Sequence, residues 1–343
     1  MTGARKPTKI RARQPAPTNR VRFNTILVPT DFSRLSQQAI RWAKFIAQPS
    51  HGTVHLVHVH DFEFAVPADV ALELISPADV DRTLQEDLCR VATKHGLPSP
   101  KKTCHLRSGR AFDQIDKLAE EIEADLIVTS THGYTGLQHA LLGSTAERIV
   151  RHATRPVLVT RSAGADRVRP PRLKKIVVPL DFSKCSEIAL RYAINLARRF
   201  DARLFLLHIV RLDYRLMADG YAMYAEEEIL KMVHDTAEEE MRRLVAATDF
   251  GRAEFEIAIE TGSAEIRISS YAREIAADII VTSTHGRTGF KHVLIGSTAE
   301  HIVRNAECPV LVVPARQAMK LIQQRSASAS APRSVSHARR LGR

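Results

Sequence analysis

The sequence predicts an α/β protein made of two tandem, doubly wound domains, each built on a parallel sheet. Three observations carry that expectation. Segments of strand character alternate with segments of helical spacing, which implies right-handed βαβ crossovers and a sheet covered on both faces. The chain also repeats itself on the scale of a whole domain: Pro29-Thr30-Asp31-Phe32-Ser33 returns as Pro179-Leu180-Asp181-Phe182-Ser183, an offset of 150 residues. Val128-Thr129-Ser130-Thr131-His132-Gly133 and Gly143-Ser144-Thr145-Ala146-Glu147 return at an offset of 153, beginning at Val281 and Gly296. Finally, 343 residues with 44% apolar and 26% charged side chains suit about two globular domains with sizeable cores.

The elements follow in order. Thr25–Val28 is a short β-branched strand, and Ser36–Ala47 carries Ala39, Ile40, Ala43 and Ile46 at helical spacing. Thr53–His60 is the next strand. Pro77–His95 is a helix entered through a proline and closed by Gly96. Lys102–Arg107 is a third, more polar strand, Ala111–Ile122 a helix and Asp125–Thr129 a buried strand. Ser144–His152 is a helix and Val157–Thr160 a last strand. The repeat places the same series in the second copy. Domains over 22–161 and 174–315 are joined by a linker at 162–173 that contains Pro170-Pro171. The two last strands, Val157–Thr160 and Val310–Val313, are short and apolar, and such edges invite pairing of the two domains within the chain.

The formal net charge is +12, but it lies at the ends of the chain. Residues 1–22 and 316–343 each hold seven Lys or Arg and no acid, so the body between them carries about −2. The tails, 1–21 and 316–343, are poor in large apolar residues and are expected to be disordered. The expected role of the tails is that of solvated, solubilising ends; a weak tether to nucleic acid or another polyanion, through the tails only, is the alternative. No run approaches the roughly 18 apolar residues of a membrane helix, and no apolar stretch follows the basic start as in a secretory signal. Four dispersed cysteines without a C-x-x-C suit a reducing, cytoplasmic setting and no zinc finger.

Both repeated motifs sit at strand C-termini, where open α/β sheets bind ligands. Gly133 and Gly136 can adopt positive φ and admit an anion to backbone amides. Ser144 and Thr145 open a helix whose free N–H groups suit a phosphate. Two alternatives stay open: Ser144-Thr145-Ala146-Glu147 is also a capping box, and the glycines also suit ordinary turns. Asp31 can accept from a sugar hydroxyl or a base edge, or it can serve the N-terminus of the following helix.

These residues together resemble the universal stress protein family. The resemblance rests on the Pro29–Ser33 start and on strands ending in His58-Val59 and His208-Ile209. It rests also on the Ser130–Gly133 and Gly143–Thr145 loop and on the closing Arg155-Pro156-Val157-Leu158-Val159 and Cys308-Pro309-Val310-Leu311-Val312 strands. It implies tandem five-stranded parallel domains, Rossmann-like and akin to the adenine nucleotide alpha hydrolases, forming a dimer-like pair within the chain, with further homodimerisation and unidentified protein partners. The family has a branch that binds ATP, with Mg2+ on the phosphates, and a branch that binds no nucleotide. The nucleotide-binding positions it implies are Pro29, Thr30, Asp31, Val59, Ser130, Thr131, His132, Gly133, Gly143, Ser144 and Thr145. In the second copy they are Pro179, Asp181, Ile209, Ser283, Thr284, His285, Gly286, Gly296, Ser297 and Thr298. The sequence departs from the ATP-binding pattern Gly-x-x-Gly-x9-Gly-(Ser/Thr) at its first glycine, which is Ser130 and Ser283 here. A serine there would crowd the ribose or resist a positive φ. Leu180 in place of Thr30 removes a hydroxyl near the second site and predicts unequal copies.

Other chemistry finds less support. His58 and His60 share a strand face without an apparent third metal ligand, and His55 faces the other way. His132 and His285 are expected to position rather than to transfer protons. Neither a P-loop nor a Gly-x-Ser-x-Gly elbow is present. The Glu226–Glu228 and Glu238–Glu240 runs on a Tyr221–Ala247 helix read as a solvated face, and Met217, Met223, Met232 and Met241 as core or lid packing. The resulting expectation is a non-catalytic, ATP-responsive stress module. A slow ATPase or adenylyl-transfer protein and an interaction protein without nucleotide are the alternatives.

Overall fold

The first copy runs β1 (Thr25–Pro29), α1 (Arg34–Ala47), β2 (Thr53–His60), α2 (Pro77–Lys94), β3 (Cys104–Ser108), α3 (Ala111–Glu121), β4 (Leu126–Ser130), α4 (Ser144–His152) and β5 (Val157–Thr160). The second runs β6 (Lys175–Pro179), α5 (Lys184–Phe200), β7 (Arg203–Val210), α6 (Glu226–Ala247), β8 (Phe255–Thr261), α7 (Ala264–Glu274), β9 (Ile279–Ser283), α8 (Ser297–Asn305) and β10 (Val310–Val313). This computed structural model describes residues 21–60, 76–131, 143–161, 170–211, 226–286 and 295–315. The expected tails, most of the linker, and Met217 and Met223 lie outside the described residues.

The ten strands form one sheet in the order β3-β2-β1-β4-β5-β10-β9-β6-β7-β8. Within each copy all neighbours are parallel, and the order reverses between β1 and β4. Successive strand residues point to opposite faces, and the buried residues divide accordingly. Ile26 and Val28 pack under α1 with Ala39, Ile40, Ala43 and Ile46. Leu27 packs on the other side with Ile115, Leu118, Ile149 and Val150 of α3 and α4. Helices thus cover both faces, as the alternation of elements predicts.

Several boundaries moved for local reasons. α1 starts at Arg34 rather than Ser36, because Ser33 is its N-cap and accepts from Ser36 N at 3.2 Å. β3 starts at Cys104 rather than Lys102. Pro100 nucleates one helical turn, Pro100–Thr103, behind a left-handed Ser99 at φ 52°. On α6, Glu238–Arg242 and Glu239–Arg243 pair at i,i+4 over 2.9 and 2.5 Å, as a solvated face does. Met241 is in the core, but Met232 is 62% exposed, contrary to the packing expected of it.

The copies join through β5 and β10, which pair antiparallel with Val157 opposite Val312, Leu158 opposite Leu311 and Val159 opposite Val310. On one face of this seam Phe45 stacks on Phe200 at 4.6 Å and Phe23 meets Tyr192 edge-on at 6.2 Å. On the other, Arg151 pairs with Glu147 and Glu300, and Arg304 with the same two carboxylates, over 2.9–3.3 Å. All four cysteines are free thiols. Among the described residues no helix is long and apolar enough to cross a membrane.

Candidate functional site: the cleft at the switch point

The reversal of strand order leaves a crevice between β1 and β4 at their C-terminal ends. In the first copy it is a cavity of about 260 Å³. Pro29, Thr30 and Asp31 line it from the end of β1, and Val57, His58 and Val59 from β2. Thr129, Ser130 and Thr131 from β4 face Gly143, Ser144, Thr145 and Ala146 at the start of α4. Thr131 is drawn to that helix by its carbonyl, which accepts from Gly143 N at 2.7 Å. His132 and Gly133 lie outside the described residues.

Asp31 is aimed by an unusual turn. Phe32 takes a left-handed φ of 65°, a conformation that costs a non-glycine residue about 1 kcal/mol. It is held there by its ring, which packs on His58 at 4.4 Å, and by Phe32 N donating to Thr30 Oγ1 at 3.1 Å. Asp31 Oδ1 accepts from Ser33 N at 3.1 Å, so the aspartate braces the turn and the serine caps the helix. Asp31 Oδ2 is buried and has no hydrogen-bond partner among the described residues. His58 Nδ1 lies 2.8 Å from the Thr30 carbonyl, which can only accept, so Nδ1 carries the proton. Burial lowers the His58 pKa, against the pull of that hydrogen bond, and the neutral ring then offers Nε2 as an acceptor.

The second copy reproduces the frame. Phe182 has φ 62° and stacks on His208 at 4.4 Å, and His208 Nδ1 donates to the Leu180 carbonyl at 2.7 Å. Asp181 Oδ1 accepts from Ser183 N at 3.1 Å and from Ser183 Oγ at 2.6 Å. Gly296 N donates to the Thr284 carbonyl at 2.7 Å. Pro179 ends β6, and Ile209 packs half-buried against the second-face core. Gly286 lies against the aspartate: a Cβ there would come within 2.5 Å of Asp181 Oδ2. Gly286 does not have a positive φ, so the glycine serves close approach rather than a left-handed turn.

Two sequence expectations change here. The capping box does not form: Gly143 and Gly296 are the N-caps, without a side-chain cap bond. Ser144 and Ser297 are therefore the first helical residues, and Glu147 and Glu300, one position too deep to reach back, pair with Arg151 and Arg304 instead. Neither Ser130 nor Ser283 has a positive φ, so a serine at the first loop position meets no backbone strain. Ser283 Oγ instead donates to the His285 carbonyl at 2.8 Å and braces the loop. Thr284 is buried, with Oγ1 accepting from Ala315 N at 3.0 Å and lying 2.9 Å from His285 Nδ1.

The sequence reasoning left out of the site His58, Ser36, and Ala111 and Ile115 of α3, all of which line the cavity. Only His58 carried a signal, in the His58-Val59 pair that is matched by His208-Ile209 in the second copy. His58 Nδ1 bonds the Thr30 carbonyl, and His60 Nε2 lies 3.1 Å from Asp81. Among the described residues no group of three or more His, Cys, Asp or Glu could hold a metal ion.

The comparisons agree with this architecture. The model of the universal stress protein family matches residues 22–161 and again 172–314. A universal stress protein of Methanocaldococcus jannaschii is 33% identical over 142 residues, 41% of this chain and 81% of that protein. Universal stress protein G of Salmonella typhimurium is 37% identical over 150 residues, 40% of this chain and 99% of that protein. The crystal structure of a universal stress protein from Archaeoglobus fulgidus shares the fold across both copies. Its TM-score is 0.59 at 21% identity, covering 85% of this chain and 98% of that one. With the family model matched twice, along a sheet that repeats its own topology on either side of the β5–β10 seam, the chain belongs to the universal stress protein family and carries two of its domains.

Proposed function

We propose that the chain is a non-catalytic stress-response module that binds an adenine nucleotide in the cleft of its first copy. The observation that carries this reading is Asp31 Oδ2, a buried carboxylate oxygen without a partner among the described residues, in the wall of the cavity. Leaving such an oxygen unsatisfied is costly, and a sugar hydroxyl or an adenine amino group would supply the missing donor. Across the cavity Ser144, Thr145 and Ala146 begin α4, whose first-turn N–H groups have no acceptor within the helix and suit a phosphate. Magnesium would then be held by the phosphates. Among the described lining residues the only acid or base groups are Asp31 and His58, both at the β1–β2 end. A base at the phosphate end is lacking in that set, which favours binding over turnover.

Mass spectrometry of freshly purified, then denatured, protein should release adenine nucleotide, and calorimetry should give magnesium-dependent ATP binding. Absence of measurable heat at millimolar ATP, in wild type and in Ser130→Gly alike, would replace this reading with that of an interaction protein. Turnover at tens per second would replace it with that of an enzyme.

A further inference from the structure

The two clefts share a frame but differ at the end where phosphates would sit. In the second copy Ser297 Oγ, on the first residue of α8, donates to Glu265 Oε1 at 2.9 Å. Glu265 lies in the first turn of α7, and the residue 153 positions earlier, in the first turn of α3, is Phe112. Phe112 is uncharged and packs on His152 at 5.3 Å. The difference extends to neighbouring positions in the repeat. At the repeat offset Arg107 of β3 corresponds to Glu260 of β8, and Arg110 before α3 to Ser263. At these positions two cations of the first copy, of which Arg107 is paired with Glu121, are replaced by an anion and a neutral residue in the second, and a phenylalanine by a second anion. Arg267 spends its charge on Glu260 and Glu274, over 2.6–3.3 Å. Arg211 Nη2 reaches Thr298 Oγ1 at 3.5 Å.

We propose that Glu265 is a built-in occupant of the second cleft's phosphate end and that the chain binds one nucleoside triphosphate, in the first copy. A carboxylate at a helix N-terminus satisfies the same donors and the same positive field that a phosphate would. With Glu265 bonded to Ser297, an incoming phosphate meets an anion where the first copy carries the uncharged Phe112. The second cleft therefore rejects phosphorylated ligands and admits at most an uncharged nucleoside. The inference rests on the nucleotide reading of the first cleft and assigns a selectivity residue to the second.

Calorimetric titration with Mg-ATP reads this directly as a stoichiometry. Wild type should bind one ATP per chain. Glu265→Phe, which installs the residue of the first copy, and Glu265→Gln, which keeps a hydrogen-bond partner for Ser297 but removes the charge, should each bind two. Asp31→Ala should weaken the wild-type event at least tenfold and, combined with Glu265→Phe, leave one of the two sites at full affinity. Two sites in wild type, or one site in both Glu265 variants, would overturn the assignment while leaving the nucleotide reading intact. Absence of binding in wild type and in every variant would overturn the nucleotide reading itself and this assignment with it.

Discussion

At the scale of single residues, the cleft is built by a strained turn and an aspartate with two different oxygens. Oδ1 of Asp31 serves the fold, through Ser33 N, and Oδ2 is left for a donor from elsewhere. Asp31→Ala should therefore weaken ATP binding by at least tenfold, since hydrogen bonds to charged groups contribute about 1.5–3 kcal/mol. Affinity by calorimetry checks this, with Asp181→Ala as a comparison expected to change it little. A drop of equal size in both variants would mean that both clefts hold nucleotide. Asp31 was legible in the sequence because a repeated Asp at a strand end is conspicuous. The left-handed Phe32 was not, since nothing in the residue type announces a positive φ; the ring contact with His58, from a different strand, is what sustains it.

At the scale of elements, the serines at the two helix starts have separate roles. Ser33 caps α1, so Ser33→Ala should cost about 1 kcal/mol of stability. Ser144 caps nothing, so Ser144→Ala should stay within about 0.5 kcal/mol of wild type in stability and lower ATP affinity about fivefold. Denaturant midpoints and calorimetry on the two variants separate these roles. A second test concerns β2 and β3, where His55 Nδ1 lies 3.0 Å from His105 Nε2 and the rings stack. Burial and the neighbouring His55, with Arg107 adding to them and Glu121 opposing, push the His105 pKa down to about 4. An unfolded histidine titrates near 6.5, so between about pH 6.5 and 4 the unfolded chain binds more protons. The contribution is complete above that window and is lost as pH falls through it. Midpoints measured from pH 7 to pH 5 should fall in wild type and fall less in His105→Gln.

At the scale of the whole molecule, the seam makes one body of two domains. Two short strands, two aromatic contacts on one face and four charged side chains on the other join the copies. Thermal unfolding should accordingly be a single transition. Leu158→Asp, which places a charge between β5 and β10 opposite Leu311, should lower its midpoint and split it in two. The charged group is partly exposed, and such pairs contribute at most about 1 kcal/mol each and are screened by salt. Arg151→Met should therefore be mildly destabilising at low salt and close to neutral near 1 M NaCl.

What the sequence determined by itself was whatever is periodic or repeated. Apolar residues at periods of 2 and 3.6 set the strands and helices, the offset set the number of domains, and Asp31 and Gly143 marked the end of the sheet where the cavity lies. The apolar last strands pointed to the seam, because an edge with nothing to cover it must find a partner. The structure alone decided what depends on contacts distant in sequence. Glu147 reads locally as half of a capping box, yet its partners are Arg151 and, from the other copy, Arg304. Ser297 matches Ser144 in sequence, yet it is bonded to Glu265, 32 residues away on another helix. Local pattern reports which face of an element is buried; it holds no information on which charged side chain, projecting from a different element, comes to share a helix end, and the chemistry of each cleft turns on that neighbour.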